Sequence, residues 1–349
     1  MQNSQQRLQI VGTTASPYTR KMVALLRYRH IPYKMIWNDP RLVLDEMGIE
    51  KPKPIFLPTF LFEDGAGGFV AKCDSTPIIR RLEEDYPGRS VLPADPALAF
   101  IDYLLEDFGD EWCTKYMFHY RWHFSADADN AGTLLPLGND VTLSDDKHQY
   151  LKKTFSERQI GRLYVVGSNE TTASVIDASY RRFLAALESH FRQQPFLLGE
   201  RPGAGDFAIF GQLSQLVGFD PTSRAIAHEL SPRTVAWVDQ MEDQSGLWPE
   251  ENHWVHLDGR EDSLREILKE VGRVYAPAQL ANARAVAAGE KNWEAEIDGA
   301  RWNQQTFPYQ AKCLKWTNEI YADLDEAQKR RVDELLEGTG CERMLTFNL

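Results

Sequence analysis

The order of elements written into roughly the first 80 residues constrains this chain more than any other feature. Leu8 to Gly12 is a short apolar run that reads as a buried strand. Ser16-Pro17 then offers an N-cap residue followed by Pro at a first helical position, and Tyr18, Met22, Leu25 and Leu26 recur at helical spacing. His30-Ile31-Pro32 ends that helix, and residues 33–37 read as a second strand, so a parallel βαβ unit is expected. A third strand (57–62) opens with Leu57-Pro58, and a turn at Glu63-Asp64-Gly65 leads to a fourth strand (68–72). Asp74-Ser75-Thr76-Pro77 then starts a helix with Ile78, Ile79 and Leu82 on one face.

After residue 88 the strand signals largely stop. The stretch 86–96 carries three prolines and reads as a linker. Helical patterns cover about 97–122, 145–160, 173–193 and 206–218, then 261–275, 277–288, 308–322 and 325–337. The stretch 123–144 is rich in Asp, Asn and Gly and reads as a loop, and 245–260 reads as irregular. Three units are expected: 1–88, 97–245, and a helical extension, 246–349, packed on the second unit.

Charge narrows the partners. Acidic residues outnumber basic ones 51 to 39, for a net charge of -12, so nucleic acid and anionic membrane surfaces are not expected. No apolar run approaches the ~20 residues of a membrane span. The N-terminus lacks a basic start and an apolar core, so no signal peptide is expected. Cys73, Cys113, Cys313 and Cys341 lie far apart, with no disulfide framework and no metal-ligand spacing. A cytoplasmic protein without a metal is the expectation.

The βαβ–ββα order, the Pro opening the third strand and the Ser at the start of the last helix resemble the thioredoxin-like domain of glutathione transferases. The linker and the following helices resemble that family's second domain. Residues 195–210 (PFLLGERPGAGDFAIF) are similar to its stretch before and into a central helix, with Asp206 as the acidic half of a capping box. The family usually has Ser or Thr where this chain has Gly203. The resemblance covers roughly residues 8–240, and residues 307–314 (FPYQAKCL) look like those of long bacterial members. It implies an α/β thioredoxin-like N-terminal domain plus an all-α C-terminal domain, and usually a homodimer.

The resemblance also implies a glutathione site. Pro58 would be cis, turning the backbone of Leu57 toward the tripeptide. Asp74 would meet its γ-glutamyl amino group, and Ser75, at a helix N-terminus, its carboxylate. The thiol would be activated at the start of the first helix, where members that exchange disulfides carry Cys. This chain has Ser16, which cannot form a disulfide but can hydrogen-bond a thiolate. Ser16 as an activating group and Ser16 as a plain helix cap stand open, with Tyr18 and Thr14 as further donors. Arg20 and Lys21 read as solvated charges. Trp112, Tyr116, His119 and Tyr120 fall on one helical face and suit a flat hydrophobic electrophile, although such a stripe more often packs a core. Cys73 reads as a buried strand-end thiol. Trp302, Phe307, Tyr309 and Trp316 are expected to dock the extension. The function implied is a detoxifying transferase with glutathione as co-substrate. A non-catalytic binding module and a glutathione-dependent peroxidase are the alternatives.

Overall fold

The computed structural model describes residues 8–257 and 262–345. Residues 1–7, which carried the reading of the leader, 258–261 within and beside the irregular stretch, and 346–349 at the end of the extension lie outside the described residues. Strand β1 (Leu8–Gly12), helix α1 (Pro17–Tyr28) and strand β2 (Tyr33–Trp37) form the βαβ unit. Helix α2 (Pro40–Met47), strands β3 (Thr59–Glu63) and β4 (Phe69–Lys72) and helix α3 (Ser75–Asp85) follow. The sheet order is β2-β1-β3-β4, with β1 parallel to β2 and β3 antiparallel to both its neighbours. Side chains alternate across it. Ile10, Phe60 and Phe62 pack with Met22, Leu25, Ile78 and Leu82 of α1 and α3, whereas Val11, Leu61 and Ala71 pack with Val43 and Leu44 of α2.

The second unit is helical: α4 (Pro96–Glu111), α5 (Cys113–His123), α6 (Ser125–Asn139), α7 (Asp145–Ile160), α8 (Ala173–His190), α9 (Ala204–Leu216), α10 (Pro221–Leu230) and α11 (Pro232–Met241). The single helix expected over 97–122 is two, divided at Trp112. The loop expected over 123–144 is mostly α6. Its composition is polar, but Ala128, Ala131 and Leu135 pack one face against Trp122, and the buried Asp127 accepts from the Thr222 N–H at 2.8 Å. Tertiary packing overrides weak local propensity there.

Helix α9 is wholly buried between α1 and α4. A Cβ at Gly211 would lie 2.6 Å from the Pro17 carbonyl, so only glycine lets α9 come this close to the start of α1. The start of α9 resolves the missing hydroxyl at Gly203. Asp102, from α4, accepts from the Ala204 and Gly205 N–H groups at 3.1 and 3.0 Å, and Asp206 accepts from the Gly203 N–H at 2.9 Å. The acceptor that Gly203 cannot offer comes from α4, across the helix interface.

The extension holds α12 (Asp262–Glu270), a π-helical turn (Val271–Tyr275), α13 (Ala276–Ala287), strands β5 (Asn292–Ile297) and β6 (Ala300–Gln305), α14 (Pro308–Ala322), α15 (Glu326–Leu336) and α16 (Glu342–Leu345). It is therefore not wholly helical as expected: β5 and β6 form an antiparallel hairpin. Trp293 and Ile297 are buried while Glu294 and Glu296 face outward, and Asp298-Gly299 turns the chain with positive φ at both residues. Trp302 packs on Trp112 at 5.3 Å, docking the hairpin on the helical unit. Phe307, Tyr309 and Trp316 instead form an aromatic group next to Phe56, so the extension touches both units. No helix of the described residues is long and apolar enough to cross a membrane.

Candidate functional site

Strand register gathers the candidate residues. Val11 lies opposite Thr59, so the chain leaving β1 (Gly12 to Ser16) emerges beside Pro58. Phe60 lies opposite Lys72, so the chain leaving β4 (Cys73, Asp74) emerges beside the same Pro58 from the other side. The Leu57–Pro58 peptide is cis. Ser16, Leu57, Pro58, Asp74 and Ser75 thus share one end of the sheet, below the N-termini of α1 and α3.

Ser16 caps α1. Its Oγ accepts from the Thr19 N–H at 3.2 Å, and among the described residues its own proton is given to no group. The loop that carries it is tied to the helical unit. Arg121 donates to the Ala15 carbonyl at 3.1 Å and Gln215 to the Thr14 carbonyl at 3.3 Å, with Arg121 itself paired to buried Asp220 at 2.8 Å. Tyr18 behaves differently. Its hydroxyl donates to the Asp110 carbonyl at 2.7 Å, and burial, with Glu111 and Asp110 nearby, pushes its ionisation well up. Its one proton is already used.

Asp74 has φ 90° and ψ 106°, a backbone conformation that side chains other than glycine rarely adopt and that costs on the order of 1–3 kcal/mol. Such strain clusters at functional sites. Its side chain does not cap α3. Ser75 and Thr76, at the first turn, therefore present backbone N–H groups without an intrahelical acceptor. The Ser75 hydroxyl is engaged inside the protein: it accepts from Lys21 Nζ at 3.0 Å and approaches Asp110 Oδ2 at 3.4 Å.

Lys21 is not a solvated charge. It is fully buried and bonds Glu106 at 2.9 Å and Asp110 at 2.7 Å, while Arg80 holds the other oxygen of Glu106 at 2.8 Å. Burial pushes the Glu106 carboxyl up, but Arg80 and Lys21 overcome it and hold it down at about 2. Arg20 lies at the surface, paired with Glu242 at 2.6 Å.

The expected electrophile face is turned inward. Trp112, Tyr116, His119 and Tyr120 are all buried in the core. Trp112 and Tyr116 share Ser179 with Glu270, His119 bonds Ser168 at 2.7 Å, and Tyr120 donates to Asp177 at 2.5 Å. Burial lowers His119 to about 4, so it stays neutral. The same helix presents a second stripe at i, i+4 and i+8: Thr114, Phe118 and Trp122. Thr114 approaches the Tyr18 hydroxyl, and Phe118 packs on the cluster that also holds Ala15 and Phe155. That spacing was as visible in the sequence as the stripe chosen; only the helix's orientation decides between them.

Sequence reasoning also missed a cavity of about 360 Å³ lined by Arg41, Lys51, Pro52, Lys53, Pro54 and Ile55. Cys73 joins it to the sheet end, donating its thiol proton to the Pro54 carbonyl at 3.2 Å. Burial pushes that thiol up, away from reactivity. Among the described residues no group of three His, Cys, Asp or Glu is placed to hold a metal ion.

The family description "Glutathione S-transferase, N-terminal domain" matches residues 10–90, and "Glutathione S-transferase, C-terminal domain" matches residues 170–240. These two stretches of the chain thus match the two domains of the glutathione S-transferase family. Its fold is that of the family's two domains, a small four-stranded mixed sheet followed by helices. No curated protein matches the chain. Solved structures that it resembles include a GST-like protein from Pseudomonas syringae, at 16% identity and TM-score 0.39, covering 67% of this chain and 66% of that one. A Methylobacterium radiotolerans glutathione S-transferase in complex with glutathione sulfonate gives 18%, 0.33, 66% and 93%. A Pseudomonas fluorescens family member with two glutathione bound gives 16%, 0.40, 67% and 87%. The likeness to the family rests on the two domain matches and not on these distant structures.

Proposed function

We propose that the chain binds glutathione along the Pro58 end of the sheet and activates its thiol at Ser16 for attack on a hydrophobic electrophile. The observation that carries this reading is the strand register that brings the Ser16 loop, Leu57-Pro58 and Asp74-Ser75 together. The groups match an extended anionic tripeptide. The N-terminus of α3 suits the γ-glutamyl carboxylate, with the Ser75 N–H rather than its engaged hydroxyl as donor. Asp74 suits the ammonium, and the Leu57 backbone the cysteinyl unit. Arg41, Lys51 and Lys53 suit the glycyl carboxylate.

Ser16 would donate its free proton to the thiolate while still capping α1. Ser16, not Tyr18, is the candidate because the Tyr18 proton is already given to Asp110. The thiolate then attacks the electrophilic carbon, forming a C–S bond as a leaving group departs with the electron pair. The surface fitted to the electrophile is Thr114 and Phe118, next to Ala15.

The test is a calorimetric titration with glutathione, followed by ultraviolet absorbance of the bound thiolate against pH. Ser16→Ala is expected to raise the thiol pKa by about 1–2 units, the loss of one hydrogen bond to a charged acceptor. Absence of binding at millimolar glutathione sinks the reading. Equal titrations for wild type and variant reduce Ser16 to a cap. One observation favours a second reading, a binding module without turnover: the broad aromatic face of α5 is closed inside the core. Glutathione binding without conjugation across a panel of aryl halides and enones would select it.

A further inference from the structure

Helix α14 begins at the candidate glutathione site, although it lies more than 200 residues further along the chain. Its second residue, Tyr309, donates a hydrogen bond to Asp74 Oδ2 at 2.9 Å. The start of the helix is held from both sides. Asn282 bonds the Phe307 N–H at 2.8 Å and the Phe307 carbonyl at 2.9 Å, and Gln310 donates to Glu111 Oε2 at 3.0 Å. The Tyr309 ring packs between Phe307, Trp316 and Phe56, with centroids at 6.1, 6.3 and 6.4 Å. Phe56 lies two residues before cis-Pro58, so the tyrosine bridges both sides of the site.

We propose that the extension completes the glutathione site, with Tyr309 fixing the Asp74 carboxylate so that Oδ1 is left as the acceptor for the γ-glutamyl ammonium. This rests on the glutathione reading above. Tyr309 is a positioning residue: it acts through Asp74 and sets preference for a free amino group on the ligand. Three features support it. Asp74 is held at a strained backbone position that fixes where its side chain starts. Tyr309 Oη is its hydrogen-bond partner at Oδ2 and leaves Oδ1 open. The groups around the carboxylate are mixed: Lys21 and Lys312 are cations, Glu106 and Asp110 are acids, and Cys313 lies beside Tyr309. Burial raises the Asp74 carboxyl, and Tyr309 with the two lysines opposes that rise. Burial, Cys313 and Asp74 push the Tyr309 hydroxyl far up, so it remains a donor at every pH of interest.

The experiment compares binding of glutathione and of N-acetylglutathione, whose amino group is blocked, to the full chain and to Tyr309→Phe. Tyr309→Phe is expected to weaken glutathione about tenfold and to leave N-acetylglutathione nearly unchanged, so that the preference collapses. Tyr309→His, which can still donate, is expected to recover part of it, and Asp74→Asn to abolish it and make Tyr309→Phe silent in that background. An unchanged preference in Tyr309→Phe overturns the proposal. So does tighter glutathione binding, which would make Tyr309 a plug. Wild type that binds no glutathione overturns the parent reading, and this one with it. Wild-type binding with an unaltered ratio in the variant overturns this one alone.

Discussion

Lys21 shows how far a single side chain can depart from its sequence reading. It sits in the second turn of α1, between Arg20 and Met22, and nothing local marks it as buried. Its partners, Glu106 and Asp110, are one turn apart on α4, and they became its partners only when α4 packed on α1. Removing one member of a buried charge group leaves the others uncompensated, at a cost of about 3–5 kcal/mol. Lys21→Met is expected to lose stability on that scale in urea unfolding. Arg20→Ala, one residue earlier but at the surface, is expected to lose less than about 1 kcal/mol. Similar losses in both would mean that the Lys21 group is solvated. Ser16, Pro58, Asp74 and Ser75 were legible because the helix starts and the strand-opening Pro have local signatures. Tyr309 was not, because no pattern in residues 307–314 announces a bond to Asp74.

Among the elements, α9 carries the clearest departure from the family's pattern. The sequence shows Gly203 where a hydroxyl is usual, and the structure supplies the missing acceptor from Asp102. Asp102→Ala is expected to cost about 1–3 kcal/mol, because the buried Gly205 N–H loses its acceptor while the Ala204 N–H keeps the Val91 carbonyl at 3.0 Å. Gly203→Ser, which restores the usual cap residue, is also expected to destabilise. A Cβ there would lie 2.3 Å from Asp102 Oδ1, and that carboxylate is too short and too buried to step aside. Paired in one chain, the two substitutions are expected to cost less than their sum, with thermal midpoints as the measure. Strict additivity would show that the two positions do not compete for one space. Element type was legible for the sheet, α7, α14 and α15; in α15 the Asp325 cap and the buried Val332, Leu335 and Leu336 agree with its surroundings. It failed for α6, where Ala128, Ala131 and Leu135 gain their meaning from Trp122. It failed again at β5–β6, although Asp298-Gly299 flanked by alternating residues is a hairpin signal.

At the scale of the whole molecule, buried acids on α4 and α9 set the response to pH. Burial raises Asp102 and Glu111 to about 8, and Asp107 and Asp206 to about 7. Each keeps in the folded state a proton that the unfolded chain gives up in the ordinary carboxylate range near 4. Stability therefore falls as pH rises from about 4 through about 8. Glu106, held at about 2, acts oppositely: its contribution is complete above the ordinary carboxylate range and is lost as pH falls from there toward 2. The melting temperature is expected to decline between pH 5.5 and pH 8. Asp107→Asn is expected to reduce that decline, since a neutral amide still accepts from the Tyr275 hydroxyl at 2.5 Å. A midpoint that is flat or rises across this range would mean that these carboxyls are ionised and paired. The two-domain plan was legible, because linker prolines and the end of strand signals mark it. The reach of the extension was not, since its contacts join residues more than 100 positions apart. Those contacts fall mainly on one helix and its flanks: Asp95 with Arg331, Asp107 with Tyr275, Glu111 with Gln310, Trp112 with Trp302. The extension is thus a wall of the helical unit and not an appendage to it. Without it, the side chains on and beside α4 that these contacts cover would face water.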